Sequence, residues 1–209
     1  MYDFHRFEDV FEHSLDHTYS DKQIKSIESN RRLLQGTLFI DRVLKLLDIK
    51  RAAKHYPSRM SSTLRTLHQE ITTSPFPRTT QLSALFYLLL DISSTAAHTF
   101  ASTTSLPSSH QTLILGLWNL DNLNIQTALL HLTHPSLLPT FQDEILIALV
   151  HTAKADHTPA LAYYHTVSPT LTAPEALQAL SFALANTSIQ RHTISPALIL
   201  KDDCFLSAY

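Results

Sequence analysis

The chain has 209 residues, 44% of them apolar, and a formal net charge of −2. A chain of that length buries roughly 70% of its unfolded surface without help from disulfides or metals, and its composition excludes a disordered tail. It holds only two glycines, Gly36 and Gly116, which excludes the hairpins, phosphate loops and dinucleotide folds that need glycine at positive φ or against a phosphate.

In chain order, Tyr2 to Leu15 reads as a helix, with Phe4, Phe7, Val10 or Phe11 and Leu15 at helical spacing. Ser20-Asp21-Lys22-Gln23 is a capping box and opens a second helix running through Ile24 and Ile27 to Leu34. Gly36 ends it. Leu38 to Leu47 is a short, strongly apolar helix. Tyr56-Pro57 marks a turn, since a residue before proline avoids helical angles. Met60 to Ile71 follows, with Leu64 and Leu67 buried. Thr72 to Thr80, with Pro75 and Pro77, reads as a loop and a possible sub-boundary within a single 1–209 domain.

Gln81 to Asp91 is apolar nearly all round, the mark of a central helix. Pro107 opens a helix carrying Leu113, Leu117 and Leu120. After a turn at Asp121-Asn122 comes a second helix with Ile125, Ala128, Leu129 and Leu132 on one face, making a helical hairpin. Thr140 is expected to cap the next helix, Thr158-Pro159 to open another, and Thr172-Ala173-Pro174-Glu175 to form a capping box for a third. A proline-broken segment from Ser188 to Leu200 closes the chain. Residues 107–186 thus hold five helices with short connections. Short connections make neighbours antiparallel, and serial hairpins that bury faces against each other make an α-solenoid. The expected fold is all-α, an α-solenoid of stacked antiparallel helical hairpins.

Charge is unevenly spread. Residues 1–80 carry 13 Lys/Arg and 10 Asp/Glu, whereas residues 81–209 carry 3 and 8. The second part is dressed in Ser, Thr, His and Asn, a weakly charged surface that suits packing against a partner. The one cysteine, Cys204, excludes an internal disulfide and suits a reducing compartment. Met1-Tyr2-Asp3-Phe4 lacks a signal-peptide layout, and the longest apolar run, Ala84 to Leu90, falls far short of the ~20 residues that span a bilayer. A cytosolic or nuclear protein is expected, without a membrane span.

No catalytic or metal-binding pattern is legible in the chain. His13 and His17, and His131 and His134, are spaced to share helix faces, but Zn²⁺ needs three or four ligands, no His-Glu-x-x-His occurs and Cys204 has no companion. There is no Gly-x-Ser-x-Gly elbow. Asp121 reads as a cap or turn, and Asp91, Asp143 and Glu144 as helix ends or surface. No enzyme activity, metal, cofactor or small-molecule substrate is expected. Arg42, Lys45, Lys50, Arg51, Lys54, Arg59 and Arg65 are opposed in sequence only by Asp48. They read first as the solvated face of two helices, and otherwise as a patch for an acidic protein or nucleic acid. Trp118 reads as a core anchor rather than a partner-facing hot spot, with Gly116 letting a neighbouring helix approach closely.

Gly116-Leu117-Trp118-Asn119-Leu120-Asp121, Ala128-Leu129 and His134-Pro135-Ser136-Leu137-Leu138-Pro139 resemble the centre of the ELYS-like helical domain. ELYS is a nucleoporin of the outer-ring Y-complex of the nuclear pore. In the same order, Asn30-Arg31-Arg32, Leu38-Phe39-Ile40-Asp41-Arg42, Tyr56-Pro57, Leu64-Arg65-x-x-His68, Leu85 to Asp91 and Ala162 to Pro169 resemble the short fungal form, over roughly residues 20 to 195. The resemblance implies a structural nucleoporin at the nuclear pore of the nuclear envelope, held by large solenoid and propeller subunits of the Y-complex and serving pore assembly and transport. The β-propeller and DNA-binding tail of animal members have no counterpart in these residues, so chromatin binding is not carried over. The other readings are a general α-solenoid adaptor for protein or peptide partners and, behind it, a nucleic-acid binder using residues 42 to 65.

Overall fold

The computed structural model describes residues 2–11, 19–50 and 52–194, with side chains as far as Thr187. Among the described residues it is all-α, with no strand. The helices are α1 (Phe7–Val10), α2 (Asp21–Leu33), α3 (Phe39–Leu46), α4 (Ala52–His55), α5 (Ser61–Thr73), α6 (Arg78–Ile92), α7 (Ser94–Thr103), α8 (Ser108–Asp121), α9 (Ile125–Leu132), α10 (Gln142–Thr152), α11 (Thr158–Val167) and α12 (Pro174–Ile194). They form two compact units, residues 1–140 and residues 141 onward. The 72–80 segment supplies the end of α5, a short link and the start of α6, and those two helices pack together inside the first unit.

Local chemistry explains most boundaries. Ser20 Oγ accepts from the Gln23 amide at 3.3 Å and Gln23 Oε1 accepts from the Ser20 amide at 2.9 Å, so the expected capping box opens α2. The helix closes with Gln35 at φ +59° and Gly36 at φ +83°, the Gly36 amide donating back to the Arg31 carbonyl at 2.7 Å. This is the left-handed exit glycine favours. The Tyr56-Pro57 turn is present, with a cis peptide bond.

Two starts differ from expectation. Thr140 does not cap α10: its hydroxyl donates to the Leu138 carbonyl, and Phe141 takes the N-cap place at φ +55° with no side-chain cap. Thr172 does not cap α12 either. Its hydroxyl and amide, with the Ala173 amide, converge on Asp143 of α10 at 2.7–3.3 Å. A carboxylate from another helix is a stronger acceptor than a local threonine. The first expected helix is also shorter: α1 covers only Phe7–Val10, and Leu15, His13 and His17 lie outside the described residues. Beyond residue 187 α12 runs on to Ile194, while Pro196, where the break is expected, and Cys204 lie outside the described residues.

In the first unit, residues 81–90 of α6 are buried on every side, as the apolar run implies. Around it, α6 packs on α3, α5, α7 and α8, while α8 also packs on α2, α3 and α9. Hairpins α6–α7 and α8–α9 stack as in an α-solenoid. In the second unit α12 turns Ala176, Ala179, Leu180 and Ala183 inward, at i, i+3, i+4, i+7, and packs on α10 and α11. Residues 107–186 hold the five expected helices.

The close approach of α8 and α9 depends on Gly116. A Cβ placed there would lie 2.6 Å from Leu132 Cδ2 and 2.7 Å from Cγ, and Leu132 is itself buried. Alanine gains ~1 kcal/mol of helix propensity, but the overlap of a methyl with a packed leucine costs ~1–3 kcal/mol. Gly116→Ala is therefore expected to lower stability in urea denaturation. Adding Leu132→Ala, which alone costs ~2–5 kcal/mol, should then cost less than it does in the wild-type background.

Candidate functional site

Three acids in the first unit are turned inward. Asp121, the last residue of α8, is 4% exposed. Its Oδ1 accepts the Phe39 amide at 2.8 Å, and its Oδ2 accepts the Ile40 amide at 3.1 Å and the Tyr87 hydroxyl at 2.8 Å. It is a cap, as the sequence suggests, but for α3, about eighty residues earlier in the chain. Asn30 of α2 donates to the Asp121 carbonyl at 3.0 Å, covering one of the carbonyls that the end of α8 leaves open.

Asp91 is read from the sequence as a helix-end or surface acid; it does lie at the end of α6, but its carboxylate is engaged by other elements rather than left to solvent. Tyr19 and Tyr56 donate to its Oδ2 at 2.9 and 2.7 Å, and the Trp118 indole N–H donates to Oδ1 at 2.7 Å. Trp118 is correspondingly half-buried, so its anchoring is a hydrogen bond as much as packing. The Tyr56 ring stands edge-on to both Tyr19 and Tyr87, linking the two aspartates' surroundings. Asp41 completes the set. It accepts Arg31 Nη2 at 2.8 Å, Arg31 Nε at 3.1 Å and the Leu38 amide at 2.9 Å, and Arg31 reaches on to the Tyr56 carbonyl at 3.1 Å.

Electrostatics follow from this enclosure. Burial pushes Asp121 up to about 7, against the pull of the Phe39 amide, the Tyr87 hydroxyl and the Ile40 amide. Burial also raises Asp91, opposed by Trp118, Tyr56 and Tyr19. Burial first, then the neighbouring aspartates, keep Tyr19, Tyr56 and Tyr87 protonated. Each of the three carboxylates accepts three hydrogen bonds. The arrangement locks helices together.

The basic stretch separates into two parts. Arg59 pairs with Glu28 at 2.9 Å, and Arg65 pairs with Glu8 at 2.7 Å while lying over the Phe7 ring. Arg42 is half-buried over the Phe39 ring. Lys45, Lys50 and Lys54 are exposed, with no ion pair among the described residues, and Arg51 lies outside those residues. His134 Nδ1 is engaged by Ser136 at 2.7 Å. Among the described residues no group of three or more His, Cys, Asp or Glu is gathered as a metal ion requires, and no helix is long and apolar enough to cross a membrane. A cleft of about 400 Å³ lies between Tyr2–His5 and the facing ends of α6 and α7.

The protein is of the all-α class, and the internal acids described in its first unit join helices. The model of the ELYS family, described as nuclear pore complex assembly, matches residues 37–192, which run from α3 through most of α12. The chain belongs to that family, which is structural rather than enzymatic and places it at the nuclear pore. It is also similar to the protein named "Uncharacterized protein ely5" of Schizosaccharomyces pombe (strain 972 / ATCC 24843), at 29% identity over 141 residues. That match covers 66% of this chain and 47% of the relative, so it spans about half the relative's length. No solved structure matches.

The buried acids give a measurable pH signature. A carboxyl raised from 3.8 to about 7 on folding contributes stability that is fully present below pH 3.8 and is lost as pH rises through about 7. Asp121→Asn removes that term and leaves an amide facing two backbone donors, at a cost of ~1–3 kcal/mol. In urea melts the gap between wild type and Asp121→Asn should be widest near pH 4 and narrow towards pH 7.5. A gap that widens with pH would mean that Asp121 stays charged throughout.

Proposed function

We propose that the chain is a non-enzymatic scaffold nucleoporin that associates with the outer-ring Y-complex, docking on its large solenoid and propeller subunits at the nuclear envelope during pore assembly and so serving nucleocytoplasmic transport. The observation that carries this reading is the family match over residues 37–192, which takes in α3, α6 and α8, the helices the buried aspartates join. Scaffold work asks for a rigid outline and no turnover, and a network whose donors and acceptors are already satisfied supplies rigidity. The adaptor alternative asks for a groove on inner helices long enough for a peptide. The cleft beside Tyr2–His5 is instead bounded by the first residues of the chain and by helix ends.

Affinity purification of the tagged protein from its own cells, followed by mass spectrometry, tests the proposal. Y-complex nucleoporins are expected in near-equal amounts with the bait. Unrelated clients, or no stable partner, would turn the reading towards a general adaptor.

A further inference from the structure

Residues 2–11, which include α1, lie against α5, α6 and α7, and aromatic side chains hold them there. Tyr2 stands edge-on to Phe100 of α7, and Phe4 takes the Arg78 guanidinium of α6 over its ring at 5.1 Å. Phe7 and Phe11 meet the imidazole of His68 on α5 edge-to-face, with ring centroids 5.5 and 6.0 Å away. Arg65, one turn before His68, lies over the Phe7 ring at 4.3 Å and pairs with Glu8 at 2.7 Å. The backbone is held too, His68 Nε2 donating to the Phe4 carbonyl at 3.0 Å. The segment lies outside the stretch 37–192 that matches the family, whereas α5, α6 and α7 lie inside it.

His68 is 3% exposed, and three residues of the segment, Phe4, Phe7 and Phe11, contact it. Segment and imidazole therefore share one enclosure. We infer that residues 2–11 are a proton-sensitive clasp: the segment stays seated while His68 is neutral, and a proton taken up by His68 frees it from α5. Leaving the seat returns His68 to water. It also removes one wall of the cleft that Tyr2–His5 form with the ends of α6 and α7.

Neutral His68 satisfies its Nε2–H on the Phe4 carbonyl and gives its ring to the two phenylalanines. An imidazolium in the same place has lost its water and gains no carboxylate of its own. Glu8 of the segment is the acid that faces it, and Glu8 is engaged by Arg65. Arg65 on the same helix and His5 on the segment both oppose a second positive charge, and from α6 Arg78 stands on the far side of Phe4. Burial first, then His5 and Arg65, hold His68 below its ordinary 6.5, against the Phe4 carbonyl and Glu8. Such a group favours the seated segment fully above pH 6.5, and the preference is lost as pH falls through the lower, folded value. Asp121 acts with the opposite sign: raised to about 7, it strengthens the junction of α3 and α8 as pH falls. The segment thus loosens over a range in which the helices behind it tighten.

Amide hydrogen exchange on the full chain at about pH 7.5 and about pH 5.5, corrected for the intrinsic pH dependence of exchange, tests the clasp. The Phe11 amide, which donates to the Phe7 carbonyl at 2.9 Å, reports on the segment. The Phe39 and Ile40 amides, which donate to Asp121, report on the helices behind it. With an ordinary 6.5 in the open segment, the opening equilibrium should rise several fold, up to about tenfold, across this range. Protection at Phe39 and Ile40 should hold or grow. His68→Gln keeps an N–H for the Phe4 carbonyl but cannot titrate, so its Phe11 protection should not change with pH. His5→Gln should keep the wild-type response. An NMR titration of the wild-type imidazoles needs no variant, and His68 should titrate below 6.5. Four results would each overturn the inference: flat protection at Phe11 in wild type, an equal response in His68→Gln, an equal loss at Phe39 and Ile40, or a His68 that titrates at or above its ordinary value.

Discussion

The first unit depends on one carboxylate placed between two helix ends. Asp121 closes α8 and caps α3, so the electron-rich end of one helix meets the amide-rich start of the other with a carboxylate between them. By itself an acid at a helix C-terminus is unfavourable, and a buried acid without a cation is more so. Two amides at the start of α3 and the Tyr87 hydroxyl offset this, and Asn30 covers an open carbonyl of α8 from the other side. Four elements, α2, α3, α6 and α8, are thereby held at one point. Removing any donor leaves a buried acceptor short, which is why such a junction is intolerant of change.

Asp91 repeats the logic on α6, and Tyr56 ties the two sites together. That tyrosine donates to Asp91, packs edge-on against Tyr87, and gives its carbonyl to Arg31, which in turn grips Asp41 at the start of α3. The result is a continuous polar core inside an otherwise apolar helical stack. Burial lifts both aspartates and keeps the phenols protonated, and the same low dielectric strengthens the bonds between them.

The sequence discloses what is local. The capping box at Ser20, the helix exit at Gly36, the all-round burial of α6 and the close approach at Gly116 depend on residues within a few positions or on composition alone, and each is found. What it hides is non-local. Asp121 has its partners near residue 40, Asp91 at residues 19, 56 and 118, and Asp143 at residues 172–173. An acid ending an apolar helix has the same local pattern whether it faces water or a tyrosine. Helix α7, Ser94–Thr103, leaves no expectation in the sequence because it is made of Ser, Thr and Ala around His98 and a single Phe100, with no large apolar residue besides to set a period. Ring pairs and cation contacts across elements, such as Arg65 over Phe7, are hidden for the same reason.

The polar network and a stretch free of lysine and arginine occur in the same helices. Acids could have been buried against arginine, as Asp41 is against Arg31. Using tyrosine, tryptophan and backbone amides instead removes the need for any cation there, and none is present between Arg78 and Lys154. The region's charges are then all internal, and its outside is left to hydroxyls, imidazoles and a few leucines. A surface of that kind gains little from long-range attraction, so it cannot steer a partner to itself.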